Sequence, residues 1–207
     1  MKIFDISPEI STNLSVWPGD TPYKRTVSMN TDLGDHMGLS SITTTLHLGA
    51  HVDAPNHYVP KAQGISERSL HYYLGPCQVL SCSVKKGERV LVSDLSTEEI
   101  KAPRVLLRTG SFPDPNNWND DFSALSEELV DWLAERQVLL VGIDTPSVDL
   151  IKSKALEAHH KIAEYNMAVL EGIVLDSVED GLYNLHALPL KIKNGDASPV
   201  RAILTKA

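Results

Sequence analysis

The sequence predicts a mixed α/β fold with a core dominated by β-strands. Three observations carry this. Short apolar runs rich in β-branched residues recur along the chain, most of them bounded by Gly, Pro, Asn or Asp. Only a few stretches have the spacing and flanking residues of a helix. With 207 residues, 42% of them apolar, there is material for one sizeable core and little for a second. Residues 1–207 are therefore expected to form a single domain.

The elements follow in chain order. Residues 3–10 (IFDISPEI) read as a short strand and a turn. In 14–26 (LSVWPGDTPYKRT), Pro18, Gly19, Asp20 and Pro22 break any regular element. Residues 40–46 (SSITTTL) and 75–85 (GPCQVLSCSVK) are strand candidates, the second closed by a turn at Lys86-Gly87. Ser96 and Glu99 have capping-box spacing and predict a short helix before Pro103. Residues 104–108 (RVLLR) predict a buried strand. The polar stretch 110–123, with Pro113 and Pro115, is long for a loop in a compact domain and suits a lid over a site. Ser126 is placed to cap a helix to about Glu135, with Leu129, Val130 and Leu133 inward. Strand 138–144 (VLLVGID), helix 154–165 ended by Asn166, and strand 167–175 (MAVLEGIVL) come next. The last segment, 185–204, alternates strand-like runs with turns at Pro189, Asn194-Gly195 and Pro199.

Bulk properties exclude several classes of function. A formal net charge of −8 argues against nucleic acid as a partner. No run approaches the roughly 18–20 apolar residues of a membrane span, and the N-terminus has no signal-peptide core. Cys77 and Cys82 cannot build a disulfide framework, and their spacing is unlike a structural zinc knuckle. They read as reduced thiols of a cytoplasmic protein.

Chemistry concentrates between residues 47 and 57. His47, His51, Asp53 and His57 fall within eleven residues of a chain that has eight histidines. Thr43-Thr44-Thr45, Gly49 and Pro55 argue against a helix here. As an extended run passing into a turn, the four share parity and face one way. Burying them unpartnered is costly, and a divalent cation is the natural partner. Imidazole with carboxylate suits zinc, manganese or iron better than calcium. The competing reading is a solvated strand face. Further ligands would come from His159-His160 and from Glu171, a carboxylate inside an apolar strand pattern. An edge-strand glutamate facing solvent is the alternative there. His36, His71 and His186 have no partners in sequence.

Several motifs now combine. The run His47-Leu48-Gly49-Ala50-His51-Val52-Asp53-Ala54-Pro55-Asn56-His57 resembles the signature of the cyclase-like amidohydrolase superfamily, with Ala50 where Thr is commonest. In this form, together with Val16–Pro22 (VWPGDTP), Gly142–Asp149 (GIDTPSVD), and His159 with Leu170-Glu171-Gly172, it is similar to the bacterial kynurenine formamidases. The resemblance runs over nearly the whole chain. It implies a swivelling β/β/α cyclase-like fold, a homodimer, and hydrolysis of N-formyl-L-kynurenine to L-kynurenine and formate in tryptophan breakdown. It also implies two divalent ions, both zinc, with manganese as the alternative. His47, His51 and Asp53 would hold one, Asp53 and Glu171 would bridge to the other, and His159, rather than His160, would complete it.

The resemblance further makes His57 the acid/base residue and Trp17 the contact for the substrate's aromatic ring. On the residues alone, the alternative for His57 is a third ligand or a group that orients one, and Trp17 is equally a plug fixing its loop to the core. A divalent ion lowers the pKa of a bound water from about 15.7 to near 7, the chemistry that amide hydrolysis at neutral pH requires. No Gly-x-Ser-x-Gly elbow offers a serine route, and neither cysteine has a base beside it in sequence. Two other readings compete: a different amidohydrolase on the same scaffold, such as a manganese isatin hydrolase, and a metal-binding protein without turnover.

Overall fold

The structure is a computed structural model and describes residues 1–206. In chain order its first elements are β1 (Lys2–Asp5), β2 (Lys24–Met29), β3 (Leu39–Thr43), β4 (His51–Asp53), β5 (Leu74–Ser81), β6 (Arg89–Val90) and β7 (Arg104–Arg108). Then come β8 (Ala124–Leu125), helix α1 (Glu127–Glu135), β9 (Leu140–Ile143), helix α2 (Glu157–Glu164), β10 (Ala168–Glu171), β11 (Gly181–His186), β12 (Ala197–Pro199) and β13 (Ile203–Lys206).

Nine strands form one sheet in the order β1-β13-β11-β5-β7-β9-β10-β4-β12. Its centre, β5-β7-β9-β10, is parallel, and both flanks are antiparallel. Central parallel strands are covered on both faces, which is why they read as unbroken apolar runs. Alternate residues separate into two cores. Val79, Leu106, Leu140 and Leu170 join Val52 of β4 with Leu185 and Leu204 of the opposite flank, so the sheet curls around this face. Leu80, Leu107, Val141 and Val169 face the other way and are covered by α1 and α2.

Helix α1 forms where its cap and stripe predict. The Ser126 hydroxyl accepts from the Leu129 N–H at 3.1 Å, and Leu129, Val130 and Leu133 are fully buried. Each such burial stabilises by about 1.5–3 kcal/mol. Asn166, left-handed at φ +52°, follows the end of α2 as expected. That helix starts later than the sequence suggests, because Leu156 is also left-handed.

Some expectations fail for identifiable reasons. No helix follows Ser96: its hydroxyl is bonded to Asp180 at 2.5 Å and does not cap the backbone. Strand 40–46 ends at Thr43, and strand 167–175 ends at Glu171, since Gly172 turns at φ +64°. The hairpin of β2 and β3 stands apart from the main sheet with nearly every residue exposed, and β2 carries no apolar run by which to see it. No helix among residues 1–206 is long and apolar enough to cross a membrane.

Candidate metal centre

The centre lies where β4, β10 and α2 meet, on the helix-covered face. His51 and Asp53 sit two apart on β4 and share a face, while Val52 between them enters the other core. Glu171 is the direct antiparallel partner of His51, so the two side chains rise side by side. His159 comes from α2, which packs over the same face. His51, Asp53, Glu171 and His159 are each 3% exposed or less.

The remaining two histidines arrive differently from the expected single extended run. His47 is carried by a bend in which Gly49 is left-handed at φ +56°. His57 ends a one-turn 3-10 helix begun by Pro55. Gly49 and Gly172 are both required by close approach. A Cβ on Gly172 would lie 2.2 Å from the Gly49 carbonyl oxygen, so the backbone beside Glu171 touches the backbone between His47 and His51.

Potential ligand atoms converge closely. Asp53 Oδ1 is 3.0 Å from His47 Nδ1 and 3.5 Å from His51 Nε2. Asp53 Oδ2 is 3.4 Å from His159 Nε2. Glu171 Oε2 is 3.1 Å from His51 Nε2, and Oε1 is 3.7 Å from His159 Nε2. A tetrahedral site with bonds near 2.0–2.1 Å has edges of about 3.3 Å, and His47, His51 and Asp53 on one side and Asp53 with His159 on the other have ligand spacing of that order.

The other ring nitrogens are already engaged. His51 Nδ1–H donates to the Gly49 carbonyl at 2.8 Å, His159 Nδ1 meets Asp149 Oδ2 at 2.9 Å, and His47 Nε2 meets Asp196 Oδ2 at 3.2 Å. Such outer contacts fix ring orientation and leave the inner nitrogen for a metal. The Val148 N–H donates to Glu171 Oε1 at 2.7 Å.

Both Asp53 oxygens and His159 Nε2 are buried without a hydrogen-bond partner. A native core seldom tolerates three such atoms together, and a cation among them would satisfy all three. Electrostatics agree. Burial disfavours charge on His47 and His159, yet the carboxylates around them raise the first to about 9 and the second to about 10. Burial also opposes ionisation of Asp53, but the His47 and His159 rings hold it well below the usual carboxylate range. The cluster attracts positive charge.

His57 stands at the edge of this group, its side chain 35% exposed, with Nδ1 3.9 Å from Asp196 Oδ2. Its ring centroid is 4.3 Å from that of His47 and 6.1 Å from that of His159. Burial lowers its pKa, the reverse of the shift at its neighbours. It also lies within ligand reach of Asp53 and His159. His160 is exposed.

The centre opens into a cavity of ≈ 310 Å³ bordered by Trp17, Trp118, Phe112 and Pro146. The expected lid, 110–123, supplies Phe112, Pro113, Pro115 and Trp118 to its wall. Sequence reading did not assign Asp149, Asp196, Phe112 or Trp118 a role. Asp149 had a signal, an acid ten residues before His159 among apolar neighbours. Asp196 had none, since it is brought in by a turn at the far end of the chain.

A curled mixed sheet, a bend and a helix that together bring three imidazoles and two carboxylates beside an aromatic cavity form a cluster that could hold metal, of the kind hydrolytic enzymes use. Residues 4–150 match the Cyclase family, described as "Putative cyclase". The chain belongs to that family. It is 43% identical over 204 residues to the kynurenine formamidase of Bordetella pertussis, covering 98% of this chain and 97% of the relative. Among solved structures it is similar to a "predicted metal-dependent hydrolase from Bacillus stearothermophilus", with 26% identity, a TM-score of 0.81, and 98% and 97% of the two chains covered. The isatin hydrolase A of Labrenzia aggregata shares the fold at a TM-score of 0.79 and 23% identity, over 98% and 93% of the chains.

Proposed function

We propose that this chain hydrolyses N-formyl-L-kynurenine to L-kynurenine and formate, with divalent ions held by His47, His51, Asp53, His159 and Glu171. One observation carries the reading: five potential ligands converge, Asp53 and His159 with orphaned inner atoms, and His47, His51, His159 and Glu171 line an aromatic cavity. The near-full-length similarity to a kynurenine formamidase supplies the substrate. Two ions suit the set, because Asp53 and Glu171 each present two oxygens to different histidines. Zinc suits imidazole with carboxylate, and manganese is the alternative.

When bound, divalent ions would lower the pKa of water and polarise the formyl oxygen. The chain's own residues do the rest. Trp17 lies along the cavity wall and offers a face to the aryl ring. His57, kept neutral at pH 7 by burial, accepts a proton from the attacking water. It returns that proton to the aniline nitrogen as the carbon–nitrogen bond breaks, leaving formate and the free amine. Its half-exposed position beside the ligands suits a group that moves protons.

A homodimer is part of this reading, supported by a β2–β3 hairpin that exposes Val27, Leu39 and Ile42. So is a cytoplasmic setting, supported by the free Cys77 and Cys82. Incubating metal-quantified protein with N-formylkynurenine, followed at the absorbance of kynurenine, tests the function. Activity should vanish with chelator and return with zinc, and full activity in metal-free protein would reject it. His57→Ala should keep its metal while losing about 10²–10⁴-fold in turnover, whereas Asp53→Ala should lose metal.

A further inference from the structure

We propose that Trp118, carried by the 110–123 loop, forms with Trp17 an aryl-binding corner that sets preference for aryl over alkyl formamides. The proposal rests on the reading of the site as a formamidase and names the residue that selects within that class. The two indoles are 5.5 Å apart between centroids at 76°, and both border the cavity over the ligand cluster. A planar ring laid flat on one indole presents its edge to the other. Stacked and edge-to-face contacts are the two favoured aromatic arrangements, so the corner offers both to one ring.

Trp118 is fixed there by more than its partner. Its Nε1–H donates to Asp120 at 2.7 Å. Phe112 and Phe122 stand edge-on to it, at 5.6 Å and 6.0 Å. The loop itself is anchored at both ends. Asp144, at the end of β9, accepts from the Thr109 and Gly110 N–H groups, and the Ser123 N–H donates to Ser111 Oγ at 2.8 Å. Its middle is tied to the segment carrying Trp17, since the Ser15 N–H and hydroxyl both donate to the Pro115 carbonyl. Two segments about a hundred residues apart are thus held in register so that their indoles meet. A loop serving only to close the core would bury Trp118 as it buries Phe122. Trp118 instead remains partly exposed to the cavity.

Trp118→Ala and Trp118→Phe are compared in zinc-loaded protein on formanilide and on N-butylformamide, with formate release as the assay. For Trp118→Ala, KM for formanilide should rise about tenfold, the loss expected when an aromatic contact and its buried area go. The kcat/KM for N-butylformamide should stay within about twofold, and Trp118→Phe should recover most of the loss. Equal losses on both substrates at unchanged metal content would show a structural role and overturn the proposal, as would no loss on either. Calorimetric binding of acetanilide separates this outcome from failure of the functional reading. If the wild-type chain hydrolyses neither of these formamides nor N-formylkynurenine, the function fails. Binding that is about tenfold weaker in Trp118→Ala still supports the corner, and unchanged or absent binding overturns it.

Discussion

Asp149 shows how much of a metal site is decided outside its ligands. Its Oδ2 meets the His159 ring nitrogen at 2.9 Å and the His159 backbone N–H at 3.1 Å, while Arg89 donates to Oδ1 at 2.9 Å. Burial opposes its charge, but the bonds and charge of His159 and the Ala158 N–H hold its pKa well below the ordinary value. The carboxylate therefore stays ionised, accepts from Nδ1–H, and aims Nε2 at Asp53 and Glu171, where loss of the Nε2 proton would leave that nitrogen free for an ion. Asp149→Asn removes that charge and lets the ring choose its tautomer. Metal affinity should fall about 10–100-fold, read by competition with a chromogenic chelator, while the fold persists. Unchanged affinity would mean that α2 packing alone orients the ring. His47, His51, Asp53 and His57 were legible in sequence because they crowd into one short run. Glu171 was legible because a carboxylate stood inside an apolar strand. His159 could be separated from His160 only by resemblance, since adjacent helical residues differ in direction and not in composition. Asp196 was invisible: nothing local marks a turn residue that meets a histidine 149 positions away.

Between elements, polar clusters tie the sheet where apolar burial does not reach. Asp180, just before β11, accepts from the Ser81 N–H and hydroxyl at the end of β5, from the Ser96 hydroxyl, and from Arg108 on β7. Burial, the largest single influence, raises its pKa, but the Ser81, Ser96 and Arg108 contacts together outweigh it and lower the pKa. A carboxyl whose folded pKa lies below its unfolded value near 3.9 adds stability that is complete above that value. The contribution disappears as pH falls through the folded pKa. Asp180→Asn should therefore be less stable than the parent at pH 7, with the difference shrinking at pH 3, as read by urea midpoints. A difference independent of pH would assign the effect to packing. The same cluster explains the misread helix at Ser96. A capping box is a local pattern, and the hydroxyl that should have capped is taken by an acid 84 residues away. Helix α1, by contrast, was legible because Ser126 caps its own chain and the apolar stripe repeats at helical spacing. The central strands were legible for the same reason, since burial on both faces leaves an apolar run. Their order in the sheet was not, because register is settled by contacts distant in sequence.

For the whole molecule, the proposed ion site would add a common centre to parts of the chain that already pack together. Its proposed ligands come from residue 47 to residue 171, from a bend, a short strand, a helix and a central strand. β4 has only three residues and pairs with β10 through Val52 and His51 alone. Without cations, the charge of Asp53 and Glu171 is balanced by protons on His47 and His159, whose pKa values stand at about 9 and 10. Those protons neutralise the acids but do not link four segments to one centre. A ligand that binds only the folded chain adds RT ln(1 + [L]/Kd), which is about 4 kcal/mol at a thousandfold excess over Kd. For a chain of this length each kcal/mol moves the midpoint by about 2–4 °C, so loaded protein should melt roughly 8–16 °C above chelated protein. Scanning calorimetry with and without chelator measures this directly. Asp53→Ala should melt near the chelated parent and respond little to added zinc. Equal melting points for loaded and chelated parent would show that the five side chains hold no ion that matters to the fold, and the proposed chemistry would lose its foundation.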